Sequence, residues 1–161
     1  LFQRILVCLD GSKLAEQILP YAAEEALHFD SKLILLQVVT LPGTIVTPAV
    51  PGVPGVPVPV PVSAKAKAEA MQKEEATARA YLESAVKLLQ AKGLNAEWVT
   101  QQGPPVGEAI VNYAKQNKID LIAMATHGRS GLGRAVLGSI ADYVMRESGL
   151  PILIIRPKKE A

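Results

Sequence analysis

Short, unbroken runs of apolar residues, each too brief for a helix and most bounded by turn-forming residues, constrain this chain more than any other feature. Residues 4–9 read RILVCL and stop at Asp10-Gly11-Ser12. Residues 33–39 read LILLQVV, residues 120–126 DLIAMAT and residues 151–156 PILIIR. A strand with one face in water alternates apolar and polar residues. A run without alternation is buried on both faces, which is the condition of a parallel sheet covered by helices. Residues 96–101 (AEWVTQ) are more polar and predict a fifth strand at a sheet edge.

Helical stretches fill the intervals. Residues 12–29 carry Leu14, Ile18, Ala22 and Ala26 at four-residue spacing, with Leu19, Ala23 and Leu27 alongside, so a broad face is expected to be buried. Pro20 should bend this helix. Residues 64–92 predict a long helix with Ser63 as N-cap and Gly93 as stop. Its first half is mostly alanine and charge, with Met71 the only large apolar residue, and should stand partly free. The second half, with Tyr81, Leu82, Ala85, Val86 and Leu89, should pack on the sheet. Pro104 and Pro105 pre-set the start of another helix, whose inner stripe is Val106, Ile110, Val111 and Ala114. A last helix runs from 138 to about 147, stopped by Gly149. The order βαβαβαβαβ predicts a single α/β domain: a five-stranded, mostly parallel open sheet with helices on both faces and right-handed crossovers. Ligands of such sheets sit at the carboxyl ends of strands where the strand order reverses. Function is therefore expected on residues 10–12, after Val38, and on residues 127–139.

Composition narrows the partners. With 161 residues the chain is one ordinary domain in length. A net charge of +2 is too small for a dedicated nucleic-acid binder. The single cysteine, Cys8, excludes an internal disulfide framework and any multi-thiolate zinc site, and its place in a buried run makes it an inert small hydrophobe. No apolar run approaches the ~20 residues that cross a bilayer, and residues 1–4 lead into the first strand without the pattern of a signal peptide. A soluble, cytoplasmic protein with no membrane contact is expected.

The chemistry concentrates in residues 125–139, ATHGRSGLGRAVLGS. Gly128, Gly131, Gly133 and Gly138 fall within eleven residues between a buried strand and a helix. Glycine lets backbone amides approach a ligand without an intervening Cβ. Gly138-Ser139 opens a helix, whose free N–H groups and positive dipole end favour phosphate. Arg129 and Arg134 add cations. The same glycines would also suit a turning surface loop and its helix cap. No GxxxxGK[ST] occurs, and Gly131-Leu132-Gly133 is not completed to GxGxxG, since Val136 holds the last position. His127 could neighbour phosphates or accept a proton, or simply position the loop, and His28 reads as a surface residue. No group of His, Cys, Asp and Glu has metal-ligand spacing.

This loop, together with Asp10-Gly11-Ser12 after the first strand and PILIIRP near the end, resembles the universal stress protein family over all of the chain except residues 42–62. The family's nucleotide-binding branch carries G-x2-G-x9-G-[S/T], which aligns here as Ala125-x2-Gly128-x9-Gly138-Ser139, with alanine in place of the first glycine. The resemblance implies a Rossmann-like sheet of the adenine nucleotide alpha hydrolase kind and an ATP-binding switch or sensor in stress response. It implies that Asp10, beside Leu9, reaches the nucleoside, that the base meets backbone at Val38, and that Met124 and Ala125 flank the ribose. Gly128, Gly138, Ser139, Ile140 and Ala141 would hold the phosphates, with His127 and Arg129 in the same loop. AMP or a cyclic nucleotide could replace ATP, and Mg2+ or Mn2+ would be held mainly by phosphates and water. The other readings are a dimeric interaction module of the family that binds no nucleotide, and a slow ATPase. Hydrolysis is disfavoured because no residue stands out as a positioner of the attacking water. A homodimer through residues 151–156 is also implied.

Residues 42–62, PGTIVTPAVPGVPGVPVPVPV, hold seven prolines and three glycines in twenty-one residues. That composition excludes helix and central strand and favours extended polyproline II. An arm packing on a neighbouring subunit or on the following helix, or a lid over the nucleotide, is expected there. A dispensable insertion is the alternative.

Overall fold

The computed structural model describes residues 1–41, 63–103, 105–127 and 137–159. Five strands form one sheet: β1 Arg4–Leu9, β2 Lys32–Val39, β3 Asn95–Gln102, β4 Leu121–Ala125 and β5 Ile152–Ile155. Their order is β3-β2-β1-β4-β5 and every pairing is parallel, so the expected mostly parallel sheet is wholly parallel. The unalternating runs behave as their composition requires. Ile5, Val7, Leu33 and Leu35 enter one core, Leu6, Ile34, Leu36 and Ile122 the other. The polar run of β3 lies at one edge and β5 at the other.

Helices α2 Leu19–Phe29 and α3 Ala64–Ala91 cover the first face, and α4 Val106–Gln116 and α5 Ser139–Glu147 the second. A one-turn helix, α1 Lys13–Glu16, precedes α2. Here the structure corrects the reading of residues 12–29 as one bent helix. The helical ladder stops at α1, and Gln17 and Ile18 turn through tighter bonds to Leu14 O (3.4 Å) and Ala15 O (3.2 Å). Pro20 falls in the first turn of α2, where its missing N–H costs nothing. The break rotates α2, so Ile18, Ala22 and Ala26 remain buried while Leu27 turns outward at 62% exposure.

Ser63 caps α3 as expected, its Oγ accepting from Ala66 N at 3.1 Å. No residue of α3 before Ala78 is buried, whereas Leu82, Val86 and Leu89 are, which matches the division into a free and a packed half. Gly93 ends the helix at φ +82°. Residues 42–62, expected to form the arm, lie outside the described residues.

Candidate functional site

The reversal of strand order falls between β1 and β4, since β2 and β3 extend from one side of β1 and β5 from the far side of β4. A cleft opens there, at the carboxyl ends of β1, β2 and β4, in two lobes of about 110 Å³ and 240 Å³. Both lobes share Cys8, Leu9, Asp10, Val106, Ile110 and Ile140.

The smaller lobe lies between β4 and the start of α5. Met124, Ala125, Thr126 and His127 form one wall, and Gly138, Ser139, Ile140 and Ala141 the other. The two walls are fastened by Gly138 N, which donates to Thr126 O at 3.0 Å. Asp142 N then returns to Gly138 O at 2.9 Å and starts the helix. The amides of Ser139, Ile140 and Ala141 occupy the first turn, where no carbonyl lies one turn behind. They give the lobe an electropositive wall made of backbone. Gly138 itself has φ −68°, open to any residue. Its need for glycine is spatial: a Cβ would stand under 3.0 Å from Thr126 O. Close approach of the helix start to β4 therefore explains this glycine whether or not a ligand is bound.

Ala125 is the last residue of β4, paired in register with Ile155. It keeps a negative φ and is buried, so the backbone makes no demand for glycine there. Thr126 Oγ1 and His127 Nδ1 are 2.8 Å apart, which orients the ring, and His127 Nε2 is buried without a hydrogen-bond partner. Gly128 and Arg129, also expected in the site, lie outside the described residues, as does Arg134.

The larger lobe runs from β1 across the end of β2. Val38 lines it together with Gln37, Val39, Thr40 and, from the first half of α3, Glu74. Asp10 stands between the lobes. Its Oδ1 accepts from Ser12 N at 2.9 Å, so it also makes the turn that carries the chain into α1, while Ser12 Oγ caps that helix by accepting from Ala15 N at 3.1 Å. Gly11 supplies the positive φ (+82°) of this turn. Asp10 and Glu74 are the acidic side chains of the described lining, and no lysine or arginine is among it. The two lobes thus differ in chemistry: the N–H groups at the start of α5 face the smaller, Gln37 and Glu74 face the larger, and Asp10 lines both.

Burial pushes the Cys8 thiol up to about 12, so it is neutral at physiological pH and serves the cleft as an apolar floor. Tyr81 donates to Glu16 Oε2 at 3.3 Å, linking α3 to α1 beside the cleft. Burial, then the Glu16 carboxylate, raises its phenol above the ordinary range. No group of three or more His, Cys, Asp or Glu side chains suited to a metal ion occurs among the described residues. Nor is any described helix long and apolar enough to cross a membrane.

The family model for universal stress proteins matches residues 1–156. The chain belongs to the universal stress protein family. Universal stress protein MJ0531 of Methanocaldococcus jannaschii is 30% identical over 161 residues, covering 99% of this chain and 86% of that one. Among solved structures, that of MJ0577 from the same organism superposes with a TM-score of 0.80 at 24% identity, covering 99% of both chains. A universal stress protein solved in complex with cAMP superposes at 0.64 with 23% identity, covering 98% of both. These likenesses establish the wholly parallel α/β sheet as the fold of known universal stress proteins.

Of the residues expected in the site, those at the end of β1, at the end of β4 and at the start of α5 line the smaller lobe, and Val38 the larger. Thr126, Gln37, Thr40, Val106 and Glu74 are among the lining residues that sequence reasoning did not single out. Val106 belongs by its spacing to the inner stripe of α4, and its half-buried position at the first turn also lets it line both lobes. Glu74 is one of many charged residues on α3, and only the crossing of that helix over β2 singles it out.

Proposed function

We propose that this universal stress protein binds an adenine nucleotide, ATP foremost, in the two-lobed cleft and acts as a nucleotide-dependent switch or sensor. The observation that carries the reading is the division of the cleft. The amides of Ser139, Ile140 and Ala141 meet phosphate oxygens in one lobe, and the acceptors of the other meet hydroxyl and amino groups of a nucleoside. In this reading Asp10, between the lobes, would meet the ribose, and Val38 the base. The adenine nucleotide held by the solved cAMP complex supports the choice of ligand. A divalent ion would be carried in by the phosphates, with water completing its shell. Binding and release, rather than turnover, is the activity proposed.

Titration calorimetry of nucleotide-free protein with Mg-ATP tests the reading. Saturable binding near micromolar, about −8 kcal/mol, is expected. Ser139→Ala should weaken it several-fold by removing a hydroxyl at the first turn of α5. Absence of saturation at millimolar ATP refutes the reading.

A further inference from the structure

Gln37 is third from the end of β2, which stops at Val39, and it is 6% exposed. It lines the larger lobe, and its carboxamide oxygen is buried with no hydrogen-bond donor among the described residues. On its face of the sheet the neighbours are Leu35 and Val39 along β2 and, in register, Leu9 of β1 and Thr100 of β3, whose hydroxyl is already given to Glu75. A buried acceptor left in this state costs roughly 1–3 kcal/mol, and a leucine would have filled the position without that cost. Because the oxygen has no partner among the described residues to lose, turning it toward the lobe breaks none of its hydrogen bonds, and a donor on a ligand can then satisfy it. As the side chain stands, its oxygen is turned away from water. The terminal torsion of glutamine is broad and twofold, so a half-turn exchanges oxygen and nitrogen at little cost.

The rest of the lobe says which donor. Glu74 and Asp10 add further acceptors, and the described lining offers no cationic side chain. A group that arrives with an N–H is favoured over one that arrives with a carbonyl oxygen, which would face two carboxylates. The carboxamide of glutamine pairs in two-bond fashion with adenine, accepting from the 6-amino group while donating to the neighbouring ring nitrogen. A 6-keto purine offers an acceptor where the amine would be.

We propose that Gln37 is a specificity-determining residue that reads the 6-amino group of the purine and makes the cleft prefer adenine over 6-keto purine nucleotides. This rests on the nucleotide reading of the cleft and adds to it a side chain that selects the base.

The experiment compares ATP with ITP, which differ at the 6-position by amine against keto oxygen, on the wild-type protein, Gln37→Leu and Gln37→Glu. Wild type is expected to bind ATP at least tenfold more tightly than ITP. Gln37→Leu should bring ATP down to within about threefold of ITP, while its unliganded thermal midpoint stays level or rises because an unsatisfied buried acceptor is gone. Gln37→Glu retains an acceptor and should keep part of the preference. Equal affinity of wild type for ATP and ITP overturns the proposal without any variant. So does an unchanged ATP-to-ITP ratio in a folded Gln37→Leu. If wild type binds neither nucleotide, the reading of the cleft fails and this proposal falls with it; a ratio insensitive to Gln37 in a protein that binds ATP rejects the proposal alone.

Discussion

Replacing Gly138 with alanine adds one methyl group at the joint between β4 and α5, and the structure sets what it should cost. The residue has φ −68° and ψ 153°, so alanine meets no torsional penalty. The new Cβ, however, would lie under 3.0 Å from Thr126 O and 3.4 Å from the carbonyl carbon behind it. Both atoms belong to backbone at the end of a buried strand and cannot swing aside as a side-chain tip would. Restoring ordinary carbon–oxygen packing requires the two segments to part by on the order of 1 Å. That stretches the Gly138 N to Thr126 O bond, now 3.0 Å, and forfeits about 1 kcal/mol. Strain in the surrounding packing adds roughly 1–3 kcal/mol. The smaller entropy of the unfolded alanine chain returns about 0.4–1 kcal/mol. The net expectation is a loss of about 2 kcal/mol, or roughly 4–8 °C in thermal midpoint for a domain of this length. Scanning calorimetry with urea titration measures it. A Gly138→Ala protein that melts within 1 °C of wild type would show that the helix start is not fixed against Thr126, and the account of this glycine would be wrong. Because the variant also shifts the amides of Ser139 to Ala141, loss of nucleotide binding in it cannot be assigned to blocked phosphate, and Ser139→Ala is the cleaner probe.

Three further outcomes follow from named groups. Cys8, held neutral by burial, should resist a water-soluble thiol reagent at pH 8 in the folded protein and react once urea is added; rapid labelling without denaturant contradicts its buried place. Glu75 accepts from Gln102, Arg79 and Thr100, which hold its carboxyl below the ordinary range and tie α3 to β3. A depressed folded value gives stability that is complete above the unfolded carboxylate range, ~4.3, and is lost as pH falls through the lower folded value. The gap in urea midpoint between wild type and Glu75→Gln should therefore be constant from pH 7 to 5 and close in stronger acid; a gap that persists at pH 2 would falsify this origin. Finally, we propose that β5, an edge strand whose four residues are all only half-buried, pairs two copies of the chain, so charged substitutions at Leu153 and Ile155 should convert a dimer to a monomer in light scattering, and a wild-type monomer at tens of micromolar rejects the pairing.

The fold was legible in the sequence because burial on both faces leaves a local mark. RILVCL and LILLQVV need no knowledge of their neighbours to be recognised as central strands, and their position in the sheet follows. The break between α1 and α2 left no such mark. Leu14 and Ile18 keep helical spacing across it, and a proline at 20 reads as a kink until the preceding turn at Gln17 shows it to be a helix start. Leu27 was misplaced for the same reason, since rotation of α2 decides which side of the stripe meets the sheet. In the cleft, the residues after β1 and at the start of α5 were visible as short polar or glycine-rich segments following apolar runs. Glu74 and Gln37 were not, because what distinguishes them is where a distant helix crosses and which partner an amide lacks.

Ala125 shows why one glycine of a motif can be replaced without changing the backbone. A glycine is required where φ is positive or where a Cβ would collide, and Ala125 sits inside β4 with neither condition. Gly138 meets the second condition through Thr126, and Gly11 the first in the turn after β1. The geometry of the smaller lobe therefore depends on Gly138 and the helix it starts, while Ala125 contributes a methyl to a wall already formed by backbone. The larger lobe owes nothing to glycine; its character comes from Asp10, Gln37 and Glu74, supplied by β1, β2 and α3. Only the parallel sheet brings these together, since it ends β1, β2 and β4 at the same edge and starts α5 there with its N–H groups facing the gap. The difference between the two lobes thus follows from strand order, and the adenine nucleotide proposed above as ligand is one that would satisfy both.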